Sequence, residues 1–328
     1  MIEAVALTKK YGDSTAVEGV SFEIASGETF GLIGTSGCGK TTTLKMLNRL
    51  IEPTSGYVLM DGEDVRSRPP EKLRQGIGYV IQNSGLFPHY TVAENIAVVP
   101  RLLGWKANKI EQRTAELLDL VKLPAEKFAQ RYPRELSGGQ QQRVGIARAL
   151  AANPPVILLD EPFGALDQIT RRQIQKEFKQ LESLLDKTMV LVTHDVFEAV
   201  ELCDRICVMD QGIAQQIGTP QELVFRPQSE FIREFFNANR FQLELKVITL
   251  QELVPWLPMP ENLDQPERSY PATSSLLDVL EDVEESSLKQ SYIKITDLQT
   301  DQTGDSDVIT NCSALLTAFY NLKQSLSV

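Results

Sequence analysis

Gly34-Thr35-Ser36-Gly37-Cys38-Gly39-Lys40-Thr41-Thr42 is the stretch from which the rest of the chain can be read. It fits the phosphate-cradling pattern of a glycine, four residues and then Gly-Lys-Thr. Residues 28–33 before it read as a buried strand, and residues 41–50 after it as a helix. Three glycines let the backbone curl so that several N–H groups point inward and form an anion-binding nest. The helix adds the positive end of its dipole. Lys40 reaches as a mobile charge toward β- and γ-phosphates, and the Thr41 hydroxyl suits Mg²⁺. The stretch predicts a nucleoside-triphosphate site with Thr35, Ser36, Cys38 and Thr42 in its wall.

Working outward, residues 1–25 read as paired strands with turn chemistry at Tyr11-Gly12-Asp13-Ser14. Tyr11 either stacks on a purine ring or packs as an ordinary strand residue. Residues 76–82 read as a strand ending in Gln82, an amide that either coordinates Mg²⁺, orients water or is a plain loop residue. The turn 83–88 exposes Leu86 and Phe87 as a partner surface. Residues 92–132 read as mostly helical. Leu136-Ser137-Gly138-Gly139-Gln140 opens a helix expected over 141–152, with Ser137 as its cap and the glycines baring its positive end. That is either a second phosphate surface or an ordinary capped start.

The apolar run 155–159 reads as a strand buried on both faces, ending in Asp160-Glu161. Carboxylates at the ends of such strands sit where parallel sheets place their chemistry. Asp160 suits the Mg²⁺ shell and Glu161 a general base on attacking water. Gly164-Ala165-Leu166-Asp167 follows as a short turn. A second buried strand, 189–192, ends in Thr193-His194-Asp195, which places His194 on the same edge and next to a γ-phosphate. Residues 205–213 read as a hairpin, and helices over 220–238 close the domain.

Composition sets the outer bounds. The chain has 328 residues, 42% hydrophobic and 23% charged, with a net charge of −11. Residues 240–328 hold 6 Lys/Arg against 14 Asp/Glu, leaving 27 against 30 for the first 239. No basic footprint for nucleic acid stands out in either part. Apolar runs are strand-sized, short of the roughly 20 residues that span a bilayer, and no secretory signal is legible at the N-terminus. Cysteines at 38, 203, 207 and 312 lack the paired spacing of a zinc site, so a reducing, cytoplasmic setting is expected. Cys38, beside the phosphate nest at a helix start, is either a thiol that alkylation reaches and a bound nucleotide protects or an inert small residue of the loop.

As an ordered set these residues resemble the nucleotide-binding subunits of ATP-binding-cassette (ABC) transporters, over residues 2–238. The resemblance implies an α/β P-loop NTPase cassette: a RecA-like mixed sheet core, an antiparallel β subdomain and a helical signature subdomain. It implies ATP and Mg²⁺ as cofactors, the metal held by Thr41, Gln82 and Asp160. It also implies a homodimer in which ATP lies between one copy's phosphate loop and the other's Ser137-Gly138-Gly139-Gln140, with Asp167 at the seam. Tyr11 then stacks on adenine, Glu161 activates water, and His194 holds the γ-phosphate, with Gln82 also in the catalytic set. Implied partners are integral membrane permease subunits and a solute-binding protein, with no nucleic acid. The implied location is peripheral, on the cytoplasmic face of the membrane.

Residues 79–89 and 231–236 are similar in finer detail to importers of osmoprotectants such as glycine betaine, carnitine and choline. Import of another small solute, such as the amino acid proline, stays open, as does a soluble ATPase outside transport. The prolines at 255, 258, 260, 266 and 271 suggest a stiff linker over 239–272. Residues 273–328 are expected as a small acidic α+β domain: helix 274–284, strand 291–296, turn 301–307, strand 308–310 and helix 313–326. That order is similar to one cystathionine-β-synthase-type regulatory module. A tail that only packs or dimerises is the other reading.

Overall fold

The computed structural model describes residues 1–82, 85–164, 166–185, 187–257, 266–285, 292–298 and 307–326. They form two compact units, Met1–Ile217 and Gly218–Val328.

The first unit begins with β1 (Ile2–Tyr11) and β2 (Ser14–Ile24), paired antiparallel with Tyr11 opposite Ser14. Next comes β3 (Thr29–Gly34), buried at every position, and then α1 (Lys40–Leu47). The first helix ends before residue 50 because Arg49 takes a left-handed φ of 55°. After it come β4 (Ser55–Met60), β5 (Glu63–Asp64), α2 (Pro70–Gln75) and β6 (Ile77–Val80). A four-stranded sheet runs β2-β1-β4-β5, with antiparallel pairing along it.

The helical region 92–132 contains α3 (Val92–Leu102), α4 (Ala107–Leu120) and the single turn α5 (Ala125–Phe128). The signature stretch opens α6 (Gly138–Leu150). This helix starts three residues earlier than expected: Ser137 accepts from the Gln140 amide, the Gln140 side chain bonds back, and both glycines are drawn into the first turn. The unit then adds β7 (Val156–Asp160), α7 (Gln168–Leu185), β8 (Thr188–Val192), α8 (Val196–Leu202), β9 (Arg205–Asp210) and β10 (Ile213–Gly218).

The central sheet has the order β10-β9-β3-β8-β7-β6. β3 runs parallel to β8 and β9, and β7 runs parallel to β8 and β6. In register, Leu32 lies opposite Val192, and Val192 opposite Asp160. The carboxyl ends of three buried strands therefore share one edge, and that register assembles the site. Among the described residues no helix is long and apolar enough to cross a membrane.

The second unit contains α9 (Pro220–Phe225), α10 (Glu230–Phe235), α11 (Arg240–Val247), α12 (Leu250–Leu253), β11 (Arg268–Pro271), α13 (Leu276–Glu285), β12 (Tyr292–Thr296), β13 (Val308–Asn311) and α14 (Cys312–Leu326). Its sheet runs β11-β12-β13, parallel and then antiparallel. Buried Leu243, Leu250, Val279, Ile293, Ile295 and Phe319 line its core. Glu244, 1% exposed, is ion-paired to both Arg240 and Lys323, as burial of a carboxylate requires.

Two expectations about boundaries need correction. The division falls at Ile217/Gly218, so the helices over 220–238 belong to the second unit. Residues 239–272 are also more than a linker, since they contain α11, α12 and β11. The prolines misled because Pro255 sits inside a short 3-10 turn and Pro271 closes β11, both positions that tolerate proline. Pro258, Pro260 and most of the expected turn over 301–307 lie outside the described residues.

Candidate functional site

β3 delivers the chain into the phosphate loop through Gly34, whose φ is 146°. A Cβ at Gly34 would stand 1.9 Å from the Met209 carbonyl oxygen, so only glycine lets the loop fold over β9. Lys40 is 6% exposed, and its ammonium donates to the carbonyls of Gly34 (3.0 Å) and Thr35 (2.9 Å). These neutral acceptors can be exchanged for phosphate oxygens at little cost. The Thr35 hydroxyl donates to Asp210 Oδ1 at 2.7 Å. Asp210 was missed in the sequence, although it ends an apolar strand just as Asp160 does.

The Thr41 hydroxyl donates to Asp160 Oδ1 at 2.9 Å, joining α1 to the end of β7. Asp160 is 6% exposed, and its other oxygen accepts from the Tyr79 hydroxyl at 3.3 Å. Burial, with Asp160 close by, pushes the Tyr79 phenol above its ordinary value, so it stays a donor. Tyr79 was also missed; it reads as a plain strand aromatic until β6 is placed beside β7.

Glu161 gathers the other expected residues. Its Oε2 accepts from Gln82 Nε2 at 2.8 Å and lies 3.5 Å from His194 Nδ1. Its backbone has a left-handed φ of 46°, and its amide donates to Val192 O at 2.9 Å, tying the turn to β8. A non-glycine residue there is strained and is held by its surroundings. The His194 side chain is 58% exposed.

In the turn after Gln82, Asn83 and Ser84 lie outside the described residues. Phe87 is 47% exposed as expected, whereas Leu86 is half-buried rather than exposed. Arg148 of α6 donates to Gly85 O at 2.7 Å, and its guanidinium lies 5.8 Å from the Phe87 ring, so this turn is docked on α6.

Cys38 corrects a second expectation. It is 2% exposed, with its sulfur 3.7 Å from Lys40 Nζ, so the thiol is packed beneath the loop and shielded from alkylation. Cys203 and Cys207 are likewise buried, and burial pushes the Cys207 thiol up to about 12.

The remaining expected residues stand apart from this cluster. Tyr11, at the end of β1, is 51% exposed, with Lys9 Nζ 5.2 Å from its ring. Ser137 and Gln140 bond to each other, and Ser137 and Gly138 are exposed. Gly139 is buried: a Cβ there would meet Thr170 Cγ2 at 2.7 Å and Ile174 Cδ1 at 3.1 Å, so α6 and α7 touch at this point. Asp167 is exposed at the start of α7, where the Thr170 amide holds its carboxyl below the ordinary range. Ala165, in the same turn, lies outside the described residues.

The cluster suits a hard cation held jointly with phosphate. Thr41, Asp160 and the free amide oxygen of Gln82 are oxygen donors and few in number, as a Mg²⁺ ion that keeps water and phosphate ligands prefers. Among the described residues no group of three or more His, Cys, Asp or Glu forms an all-protein metal cage.

Residues 17–164 match the ABC transporter family. The chain is 53% identical over 241 residues to the "Glycine betaine/carnitine/choline transport ATP-binding protein OpuCA" of Bacillus subtilis, a match covering 73% of this chain and 63% of that protein. It thus spans less than two thirds of that relative's length. It is 46% identical over 264 residues to the "Glycine betaine uptake system ATP-binding protein YehX" of Escherichia coli, covering 80% of this chain and 85% of that one. A solved dimeric post-hydrolysis state of the ATP-binding cassette MJ0796, bound to ADP and Pi, aligns with a TM-score of 0.60 at 35% identity. That alignment covers 67% of this chain and 98% of the other.

Proposed function

The chain belongs to the ABC transporter family, and from that premise we propose that it is the ATP-hydrolysing subunit of an importer for quaternary-amine osmoprotectants such as glycine betaine. The observation that carries the reading is the paired cluster at the sheet edge. Thr41 is bonded to Asp160, and the next residue, Glu161, lies between Gln82 and His194. The names of the relatives support the solute class. The dimeric neighbour supports pairing of two copies.

In this mechanism the loop amides and Lys40 bind and neutralise the phosphate tail, and Tyr11 supports the adenine. Thr41, Asp160 and Gln82 would hold Mg²⁺, which would supply neutralising charge to the phosphate tail. Glu161 is the general base: it accepts the proton of the attacking water, and Gln82 and His194 fix its carboxylate in place. His194 also faces the γ-phosphate and the charge that develops there. Ser137, Gly138, Gly139 and Gln140 of a second copy close over the nucleotide, with Asp167 at the seam. Phe87 and its turn meet a membrane permease fed by a solute-binding protein, at the cytoplasmic face of the membrane. For the second unit we carry forward a single accessory module of the cystathionine-β-synthase type, supported by its β11–α13–β12–β13–α14 order.

The test is uptake by proteoliposomes holding the chain with its permease and binding protein. Labelled glycine betaine is expected to enter only with ATP present. Entry of proline alone would overturn the solute, and full-rate hydrolysis by an isolated monomer would overturn the paired site.

A further inference from the structure

Glu161 and His194 lie on separate turns that follow separate strands, and the distance between them depends on how those turns are held. β8 holds Glu161 from one side through the Val192 carbonyl. The other side is held by one guanidinium. Arg171 of α7 donates from Nε to Phe163 O (3.2 Å) and from Nη2 to Leu166 O (3.0 Å) and Gly164 O (3.4 Å). Its Nη1 is ion-paired with Asp195 Oδ2 at 3.8 Å. Asp195 follows His194 directly, and its other oxygen caps α8 by accepting from the amides of Phe197 (2.9 Å) and Glu198 (3.2 Å).

We infer that Arg171 is a positioning residue for hydrolysis, locking the turn after Glu161 to the turn that carries His194. The inference rests on the reading of Glu161 as the base. Three features support it. A guanidinium presents donors in a fixed plane, so one side chain serves three carbonyls and a carboxylate at once. Glu161 occupies a backbone region that its own side chain disfavours, so it needs support from both sides. The Arg171 side chain is 26% exposed, and its reach ends on the two turns, leaving the phosphate loop untouched. Its contribution is therefore to the rate of the chemical step rather than to nucleotide affinity.

The experiment measures ATP affinity and single-turnover hydrolysis on the full chain in its assembled complex, for R171A, R171K, E161Q and E161Q/R171A. R171A is expected to lower the hydrolysis rate by about 10–100-fold, since small misplacements at a reacting centre cost on that scale. ATP affinity is expected to change by less than about threefold. R171K keeps the charge near Asp195 but cannot span the carbonyls, so it should fall between R171A and the parent. It also carries the test if R171A fails to fold. Because Arg171 acts through Glu161, E161Q/R171A should be within about threefold of E161Q alone. R171K at the parental rate, an affinity loss matching the rate loss, or multiplying effects in the double variant would each overturn the inference. A slow E161Q beside a full-rate R171A sinks this inference alone, whereas a full-rate E161Q sinks the reading of the base and the inference with it.

Discussion

The edge where β3, β7 and β8 end and the start of α6 are both polar, glycine-rich and suited to phosphate, yet they are built in opposite ways. At the edge functional side chains engage one another: Thr41 with Asp160, Asp160 with Tyr79, Gln82 with Glu161, Thr35 with Asp210. At α6, Ser137 and Gln140 satisfy each other and the exposed face is left to solvent. The first region is assembled within one chain before any ligand arrives. The second leaves Ser137 and Gly138 exposed, as the proposed sharing of a site between two copies requires.

The largest effect that would break this contrast is at Glu161. Glu161→Gln should keep ATP binding while single-turnover hydrolysis falls by ~10²–10⁴-fold; equal turnover would remove Glu161 from the chemistry. Next comes the first glycine of the phosphate loop. Gly34→Ala sets a Cβ against the Met209 carbonyl at 1.9 Å and keeps a φ of 146°, so it should destabilise the fold by about 3 kcal/mol or more, read by urea unfolding.

A third test concerns the first turn of α8. Glu198 is 4% exposed and its Oε1 has no partner; burial first, then Asp195, pushes its carboxyl up to about 8 from 4.5. Between those values the folded chain holds a proton that the unfolded chain has released, so this residue's contribution to stability falls as pH rises from about 4.5 to about 8. Glu198→Gln, neutral throughout, should match the parent near pH 5 and exceed it by on the order of 1–3 kcal/mol near pH 9. Parallel stability curves across that range would contradict the assignment.

The smallest stability effect is the sharpest for the comparison. A Cβ at Gly138 meets only Leu166 Cδ2, at an ordinary 3.8 Å. Gly138→Ala should therefore shift stability by no more than about 0.5 kcal/mol, while turnover of the assembled complex drops. Unchanged turnover would mean that no nucleotide approaches this helix start.

Sequence made the edge legible where function sits in consecutive residues or at strand ends. The phosphate loop, Asp160, Glu161 and His194 all follow buried apolar runs, and periodicity finds those. Contacts set by strand order were not legible. Tyr79 reaches Asp160 only because β6 lies beside β7, and Thr35 reaches Asp210 across 175 positions of chain because β9 lies beside β3. Exposure misled at Cys38, because a position next to the nest says nothing of which way the sulfur turns. In the C-terminal region proline density outweighed the apolar spacing of Leu243, Leu250 and Leu253, all of them buried.

One contact has a mechanical consequence. Gly139 lets α6 lie so near Thr170 and Ile174 of α7 that even a single added methyl group would collide. Ser137 heads one of these helices and Asp167 heads the other, so both tips lie on helices that touch at Gly139. If two copies pair as proposed, a displacement of one tip presses on the other through the Gly139 contact, so the two sides of the nucleotide would move as neighbours.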